Sequence, residues 1–176
     1  MDTVDQYNET VRTARDIFLA KTTDYGTAWT VLRPVSIVDQ IFIKAMRIRT
    51  LQETGVSLVG DDIPGEFLGI INYAVIGLIQ LVRGSEPAEL PSSLAVGLYD
   101  SQVAIARDVM LSKNHDYGEA WRNMSQEGLT DLILMKLLRI RQILANKGVT
   151  LISEGVDAGY VDILNYAIFA LILTQS

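Results

Sequence analysis

The chain has 176 residues, 49% hydrophobic and 20% charged, enough for one domain of ordinary size with a substantial core. Its net charge of −6 argues against general binding to DNA or RNA, which requires a basic surface. It contains no cysteine, which excludes disulfides, thiolate metal sites and a cysteine nucleophile. The first ten residues are acidic and polar, unlike a signal peptide. We therefore expect a globular, cytoplasmic protein.

Two apolar runs are the most hydrophobic parts of the chain. The first, residues 67–82, has 16 residues and is interrupted by Asn72 and Gln80, whereas a membrane span needs about 20 apolar residues. The second, residues 160–173, contains Asp162. We interpret both as buried helices and expect no membrane partner. A membrane-associated helical hairpin is the alternative, and it predicts that purification would depend on detergent.

The chain is an internal duplication. At an offset of 92 residues, ARDIFLAKTTDYGTAW (14–29) matches ARDVMLSKNHDYGEAW (106–121) with ten identities in sixteen. The later segments FLGIINYAVIGLI and YVDILNYAIFALI align after a one-residue insertion before Gly148. A segment rich in proline, glycine and serine joins the copies and is typical of a linker. We predict a first repeat over 1–83, a linker over 84–93 and a second repeat over 94–176, the repeats packing as one domain.

Each repeat is predicted to form three helices. The first carries an amphipathic stripe, and the DYG triplet after it is typical of a helix end because glycine tolerates a positive φ. The second is predicted over 37–53 and 129–146, and the third begins near Pro64 and near Asp157. The predicted fold is all-α: a tandem duplication of a three-helix unit that forms an intramolecular pseudo-twofold helical bundle.

Two arginines on the second helices lie where an apolar residue is expected. At 100° per residue, Arg49 projects from the apolar half of its helix, between Val38 and Phe42, and Arg141 repeats this placement. A buried arginine requires a carboxylate or phosphate partner. It either forms a structural ion pair or extends to the rim of the bundle, or else it binds a ligand.

Polar residues also interrupt the third helices. Asp162, Asn165 and Tyr166 fall on one side of the second repeat's helix at i, i+3 and i+4. The first repeat keeps Asn72 but has Gly69 in place of the aspartate. The carboxylate is protonated, paired with a cation such as an arginine, or bound to a metal ion. The pattern predicts a scaffold in both halves and at most one complete acidic site, unless the glycine only permits close helix packing.

Other polar and aromatic residues occur at matching places in the two repeats. An acid, Asp61 or Glu154, precedes each third helix, where it also suits the helix dipole. Trp29 and Trp121 follow the DYG turns. Each tryptophan is interpreted either as core packing or as a surface on which a base stacks.

The order K-x-x-D-Y-G, then K-x-x-R on a helix, then an acid ahead of D-x-x-N-Y-A resembles the nucleotide modification associated domain family. That family was long described as a domain of unknown function, and its bacterial members can be tandem duplicates. The chain is more distantly similar to the all-α nucleoside triphosphate pyrophosphohydrolases of the MazG and dimeric dUTPase type. Those enzymes hold Mg²⁺ with an E-x-x-E and an E-x-x-D motif and cleave between the α and β phosphates. This chain has no E-x-x-E on either second helix, and Ile43 and Met135 stand where an acid is expected.

The resemblance implies a nucleotide-binding protein, and a Mg²⁺-dependent pyrophosphohydrolase-like activity in which the metal activates water. The implied metal ligands are Glu154, Asp162 and Asp131, and the implied phosphate-binding residues are Lys136, Arg139 and Arg141. The residues implied to border the ligand are Asp116, Tyr117, Trp121, Asn165 and Tyr166. Their first-repeat counterparts are Asp24, Tyr25, Trp29, Lys44, Arg47, Arg49, Asp61 and Asn72.

The expected partner is a nucleotide or another small phosphorylated molecule, and a homo-oligomer is a further expectation. The alternative function is a non-catalytic α-helical scaffold in which the arginine and aspartate residues form structural ion pairs.

Overall fold

A computed structural model of the chain describes residues 1–58, 60, 62–151 and 154–175. This part of the chain is helical and contains no β-strand. Its α-helices are α1 (Thr3–Tyr25), α2 (Pro34–Thr54), α3 (Ile63–Arg83), α4 (Ser92–Tyr117), α5 (Gln126–Ala145) and α6 (Val156–Thr174). Two short 3₁₀ helices, Ala28–Val31 and Ala120–Asn123, follow α1 and α4. The predicted all-α duplication of a three-helix unit is therefore confirmed.

Local capping residues fix where the helices begin and end. The side chains of Asp2, Asp62 and Ser125 accept hydrogen bonds from backbone N–H groups in the first turns of α1, α3 and α5. The helices α1 and α4 end at Gly26 and Gly118, whose φ angles are 70° and 63°. A positive φ is accessible to glycine without a steric penalty. The DYG triplet therefore ends a helix in both repeats, as the sequence predicts.

The helices α3 and α6 form the centre of the bundle. They pack against each other, and each packs against the second helix of its own repeat, while α2 packs against α5. The helices α1 and α4 each contact both α3 and α6, so the two repeats share one hydrophobic core. By length and composition α3 and α6 could span a membrane, but 61% and 72% of their apolar windows are buried inside the bundle. Such burial is what the central helices of a bundle show.

The third-helix asparagines make matched polar contacts in the two halves of the bundle. The Tyr7 hydroxyl donates to Asn165 Oδ1, and the Tyr99 hydroxyl donates to Asn72 Oδ1, both at 2.7 Å. The amide nitrogens of these asparagines donate to the carbonyl oxygens of Ala106 and Ala14, at 3.1 and 2.9 Å. Each bond has an equivalent in the other half, which gives the bundle its pseudo-twofold character.

Candidate functional site

The second repeat places one buried carboxylate between two lysines. Asp162 of α6 is buried, Lys113 of α4 donates to its Oδ1 at 2.8 Å, and Lys136 Nζ of α5 lies 2.8 Å from its Oδ2. Burial opposes the charge of Lys113, but the hydrogen bond and charge of Asp162 outweigh burial and raise the pKa of Lys113. Two cations therefore already neutralise this carboxylate.

The first repeat carries its acid one helical turn earlier. Gly69 takes the place of the aspartate, but Glu66 is buried three residues before it. The Glu66 carboxylate lies 3.3 Å from Arg47 Nη1 and 4.0 Å from Lys44 Nζ. The position equivalent to Glu66 in the second repeat is Gly159. Each repeat thus has one acid and one glycine on this helix face, in opposite order.

Glu66 is an acid on the third helix of the first repeat that the sequence interpretation did not consider. The sequence contained the signal, because Glu66 lies i−3 from Gly69 on the same helix face. Residue-by-residue alignment hides the exchange, since it compares Glu66 with Gly159 and Gly69 with Asp162.

The predicted magnesium ligands do not form a cluster. Within the described residues, no group of three histidine, aspartate or glutamate side chains is placed to hold a metal ion. Asp131 lies 3.9 Å from Arg49 Nη1, whereas Asp162 contacts Lys113 and Lys136 and shares a cavity lining with Glu154. This donor set does not fit a magnesium ion held by the protein alone. The predicted acid Asp61 lies outside the described residues.

Arg49 and Arg141, the two arginines on the apolar halves of the second helices, each form an ion pair with an aspartate of the other repeat. Arg141 Nη2 donates to Asp39 Oδ1 at 2.9 Å, and Arg49 Nη1 lies 3.9 Å from Asp131 Oδ1, so each pair joins α2 to α5. The Arg141 guanidinium also lies 4.3 Å from the centroid of the Phe42 ring. In this structure both arginines form ion pairs between the repeats, and phosphate binding by Arg141 stays a prediction.

A cavity of about 510 Å³ opens in the first repeat beside Trp29. Its volume lies within the range of about 300–1,000 Å³ that is typical of small-molecule sites. Lys21 of α1 and Lys44 of α2 line it, and no acidic residue is among its described lining residues. In the described part of the chain, Lys21 has no ion-pair partner. The aromatic lining residues are Phe18, Tyr25, Trp29 and Tyr73.

The two tryptophans differ in their surroundings. Trp121 stacks on Phe169, with ring centroids 4.2 Å apart and planes 4° from parallel, and its Nε1 donates to Asn114 Oδ1 at 3.2 Å. In the first repeat, Ile76 replaces the phenylalanine and lines the cavity with Trp29. Trp29 Nε1 is buried and has no hydrogen-bond partner in the described residues. Trp29 therefore keeps an indole N–H without a described acceptor, and its ring forms only a tilted pair with Phe18, with centroids 6.2 Å apart, among the described residues. Trp121 has both a stacked ring and an acceptor.

A second cavity, of about 820 Å³, lies between α5, α6 and the segment that joins them. It brings together four of the predicted site residues, Lys136, Arg139, Glu154 and Asp162. Their formal charges cancel, and no aromatic ring is among the described lining residues. The larger cavity is therefore less suited than the smaller one to an anionic ligand with a flat ring.

The remaining predicted residues are exposed, half-buried or already hydrogen-bonded. Asp116 and Tyr117 are exposed at the end of α4, and Asp24 is exposed at the end of α1. Tyr166 is half-buried, and burial followed by the charge of Asp162 raises its pKa. Asn72 lines the smaller cavity, although its amide is engaged in the inter-repeat network.

Sequence reasoning did not select Lys21 and Lys113 as site residues, although they open the two K-x-x-D-Y-G motifs. The motif spacing was the available signal. It places each lysine one turn before the end of its helix. The structure then brings Lys21 and Lys44 to one cavity, and Lys113 and Lys136 to Asp162.

Comparison with known families agrees with this two-repeat organisation. The profile of the family nucleotide modification associated domain 1 matches residues 21–81 and again residues 113–173. These two matches cover more than half of the chain and correspond to the two repeats. The chain belongs to the nucleotide modification associated domain 1 family. No curated protein and no solved structure matches the chain, and the more distant similarity to MazG-type enzymes stays a prediction.

Proposed function

We propose that the protein binds a nucleotide, or another small phosphorylated molecule, in the first-repeat cavity. One observation carries this proposal: two lysines and several aromatic rings line a cavity that has no described acidic lining residue. Phosphate groups need cations, and a base needs a flat apolar surface on which to stack. The cavity offers both within one repeat.

The residues of the cavity divide into two roles. Lys21 and Lys44 would neutralise the phosphate charge. Lys44 can move towards a phosphate because its contact with Glu66 is long, at 4.0 Å. Trp29 and Tyr73 would flank the base, and the unpartnered Trp29 Nε1 would donate a hydrogen bond to an acceptor on the ligand. A polar group buried without a partner is costly, so a ligand acceptor would stabilise the bound state.

A divalent cation would bind together with the phosphates of the ligand. Mg²⁺ commonly binds through one or two carboxylates together with the phosphates of a substrate. The described lining of the cavity supplies no carboxylate for a metal or for a general base. We therefore propose binding, and no hydrolytic step is derived from these residues.

The scaffold function is the second candidate, and the ion pairs between α2 and α5 favour it. In that case, the charged residues would all serve packing and the cavity would stay empty. Isothermal titration calorimetry with the common nucleoside mono- and triphosphates, each in EDTA and in Mg²⁺, separates the two functions.

The expected result is saturable binding of at least one nucleotide. Lys21→Ala should weaken it about 10- to 100-fold, because a charge-assisted hydrogen bond contributes about 1.5–3 kcal/mol. The matched control is Arg139→Ala, which removes a cation from the larger cavity and should leave the affinity unchanged. Absence of heat across the whole panel would favour the scaffold, and loss of binding only in Arg139→Ala would move the site to the larger cavity.

A further inference from the structure

The residues around the first-repeat cavity can be compared one by one with their equivalents in the second repeat. Lys21 and Lys44 correspond to Lys113 and Lys136 at the offset of 92. On the third helices the offset is 93, so Gly69 corresponds to Asp162 and Ile76 to Phe169. The space beside the tryptophan is therefore comparable in both halves, and the side chains that fill it are not.

In the second repeat, the phenyl ring of Phe169 covers Trp121. Phe169 lies parallel to Trp121 at 4.2 Å, which is the geometry of a stacked aromatic pair. Trp121 is buried in consequence, and its indole N–H already has an acceptor in Asn114. In the first repeat, Ile76 leaves the corresponding ring on the cavity wall.

In the second repeat, the Asp162 carboxylate lies between Lys113 and Lys136. Asp162 is 2.8 Å from both ammonium groups. In the first repeat, Lys44 folds over Gly69, where an added Cβ would meet Lys44 Cε at 2.9 Å. The lysine side chain is flexible at that end, so an anion arriving between Lys21 and Lys44 can draw it away from the glycine.

We infer that Phe169 and Asp162 occupy, in the second repeat, the places that the ring and the anionic group of the ligand take in the first. The chain therefore binds one ligand, in its first repeat. In the second repeat, its own Asp162 and Phe169 side chains occupy the equivalent space. This inference rests on the proposed function and adds a stoichiometry and a ligand shape to it.

The two side chains also specify the size of the ligand. Asp162 and Phe169 are seven residues apart on one helix, a rise of about 10 Å. A flat ring and an anionic group at that spacing describe a nucleoside phosphate better than a free base or a free phosphate. Base and inorganic phosphate alone should each bind at least tenfold more weakly than the nucleotide.

Calorimetric stoichiometry of two reciprocal double variants tests the inference, with the nucleoside 5′-monophosphates of adenine, guanine, cytosine, uracil and thymine as probes. Gly69→Asp/Ile76→Phe gives the first repeat the fillers of the second and should reduce the stoichiometry from one to zero. Asp162→Gly/Phe169→Ile removes the fillers and should raise it from one to two. Thermal melts establish that each variant is folded.

Each other outcome has a distinct meaning. If the unmodified chain binds neither these monophosphates nor the triphosphates, in EDTA or in Mg²⁺, the proposed function fails. If it binds two ligands, or if the emptied second repeat still binds none, the proposed function stands and the inference is wrong.

Tryptophan fluorescence gives a second measurement that does not depend on the double variants. Ligand should quench the emission of the Trp121→Phe protein, whose remaining tryptophan is Trp29. The Trp29→Phe protein should bind ligand more weakly, and the emission of its Trp121 should not change. The reverse pattern would place the ligand in the second repeat and overturn the inference.

Discussion

Two sets of contacts between the repeats are equivalent in both halves, whereas the contacts beside the two tryptophans differ. The bonds of Tyr7 with Asn165 and of Tyr99 with Asn72 are equivalent, as are the two arginine–aspartate pairs between α2 and α5. Each such contact takes one residue from each repeat. A change in one copy would therefore leave a group in the other copy without its partner.

The interior beside the tryptophans shows the opposite behaviour. The Phe169–Trp121 stack and the lysine pairs of Asp162 lie wholly in the second repeat, and the Glu66 pairs lie wholly in the first. Because no partner from the other repeat is involved, these positions can differ without disturbing the shared core. The comparison teaches that the symmetric contacts maintain the fold, whereas the asymmetric ones distinguish the two cavities.

The largest effect on stability is expected from the acid of the second repeat. Asp162→Asn should lower the free energy of unfolding by about 2–3 kcal/mol, because it leaves the half-buried Lys136 and the more exposed Lys113 without their counter-charge. Glu66→Gln should cost less, about 1–2 kcal/mol, because its ion pairs are longer. Urea unfolding monitored by circular dichroism measures both.

The matched control is the exposed Asp116→Asn, expected within about 0.5 kcal/mol of the unmodified chain. A gain in stability in Asp162→Asn would contradict the ion-pair assignment. It would mean that the carboxylate is held against repulsion, as in an empty metal site.

Replacement of Asn72 or of Asn165 should lower the free energy of unfolding by equal amounts, since the two side chains make equivalent hydrogen bonds. Asn72→Ala and Asn165→Ala should each cost about 1–3 kcal/mol, because each leaves a buried tyrosine hydroxyl without its acceptor and removes a second bond to a helix carbonyl. Tyr7→Phe should cost about 1 kcal/mol, since it removes one bond only. Equilibrium unfolding in urea checks these values. A difference of more than about 1 kcal/mol between the two asparagine variants would show that the framework is less symmetric than its contacts.

The framework tyrosines should also make stability fall in alkali. Burial raises the pKa values of Tyr7 and Tyr99 well above their ordinary value of about 10. The stability that each contributes is therefore complete below pH 10 and is lost as pH rises, because the unfolded chain ionises first. The expected slope is about 1.4 kcal/mol per pH unit for each tyrosine.

Unfolding free energies between pH 8 and pH 11 measure this slope. Tyr7→Phe and Tyr99→Phe should each reduce it by the same amount. An unchanged slope in either variant would show that its tyrosine is ionised as readily in the folded chain as in the unfolded one.

Most of the fold could be predicted because the duplication repeats every signal. The helix ends at Gly26 and Gly118, the central third helices and the absence of strands in the described residues all follow from local patterns that occur twice. The structural alternative for Arg49 and Arg141 could also be stated from helix geometry. Their actual partners could not be predicted, because each aspartate lies in the other repeat and its choice depends on how α2 crosses α5.

The candidate site was harder to predict than the fold. Sequence reasoning placed it in the second repeat, because Asp162 looked like a metal ligand there. Whether a carboxylate is available depends on the lysines that reach it in three dimensions, and Lys113 comes from another helix. The stacking of Phe169 on Trp121 is likewise a tertiary contact, whose two residues lie 48 positions apart in the sequence. The presence of Ile76 in place of Phe169 is one of the differences between the repeats, and its effect cannot be predicted without knowledge of that contact.

The smallest effects are expected from the ion pairs that join α2 to α5. The side chains of both pairs are more than a third exposed, so solvent and salt screen them. Asp39→Asn should lower the free energy of unfolding by up to about 1 kcal/mol, because Arg141 loses a bond of 2.9 Å, whereas Asp131→Asn should change it by less than about 0.5 kcal/mol, because Arg49 lies 3.9 Å away. Thermal melts in low and high salt measure the difference, which should shrink as salt is added. A larger and salt-independent loss in Asp131→Asn would show that the pair is as tight in solution as its counterpart, and would extend the symmetry of the framework to its electrostatics.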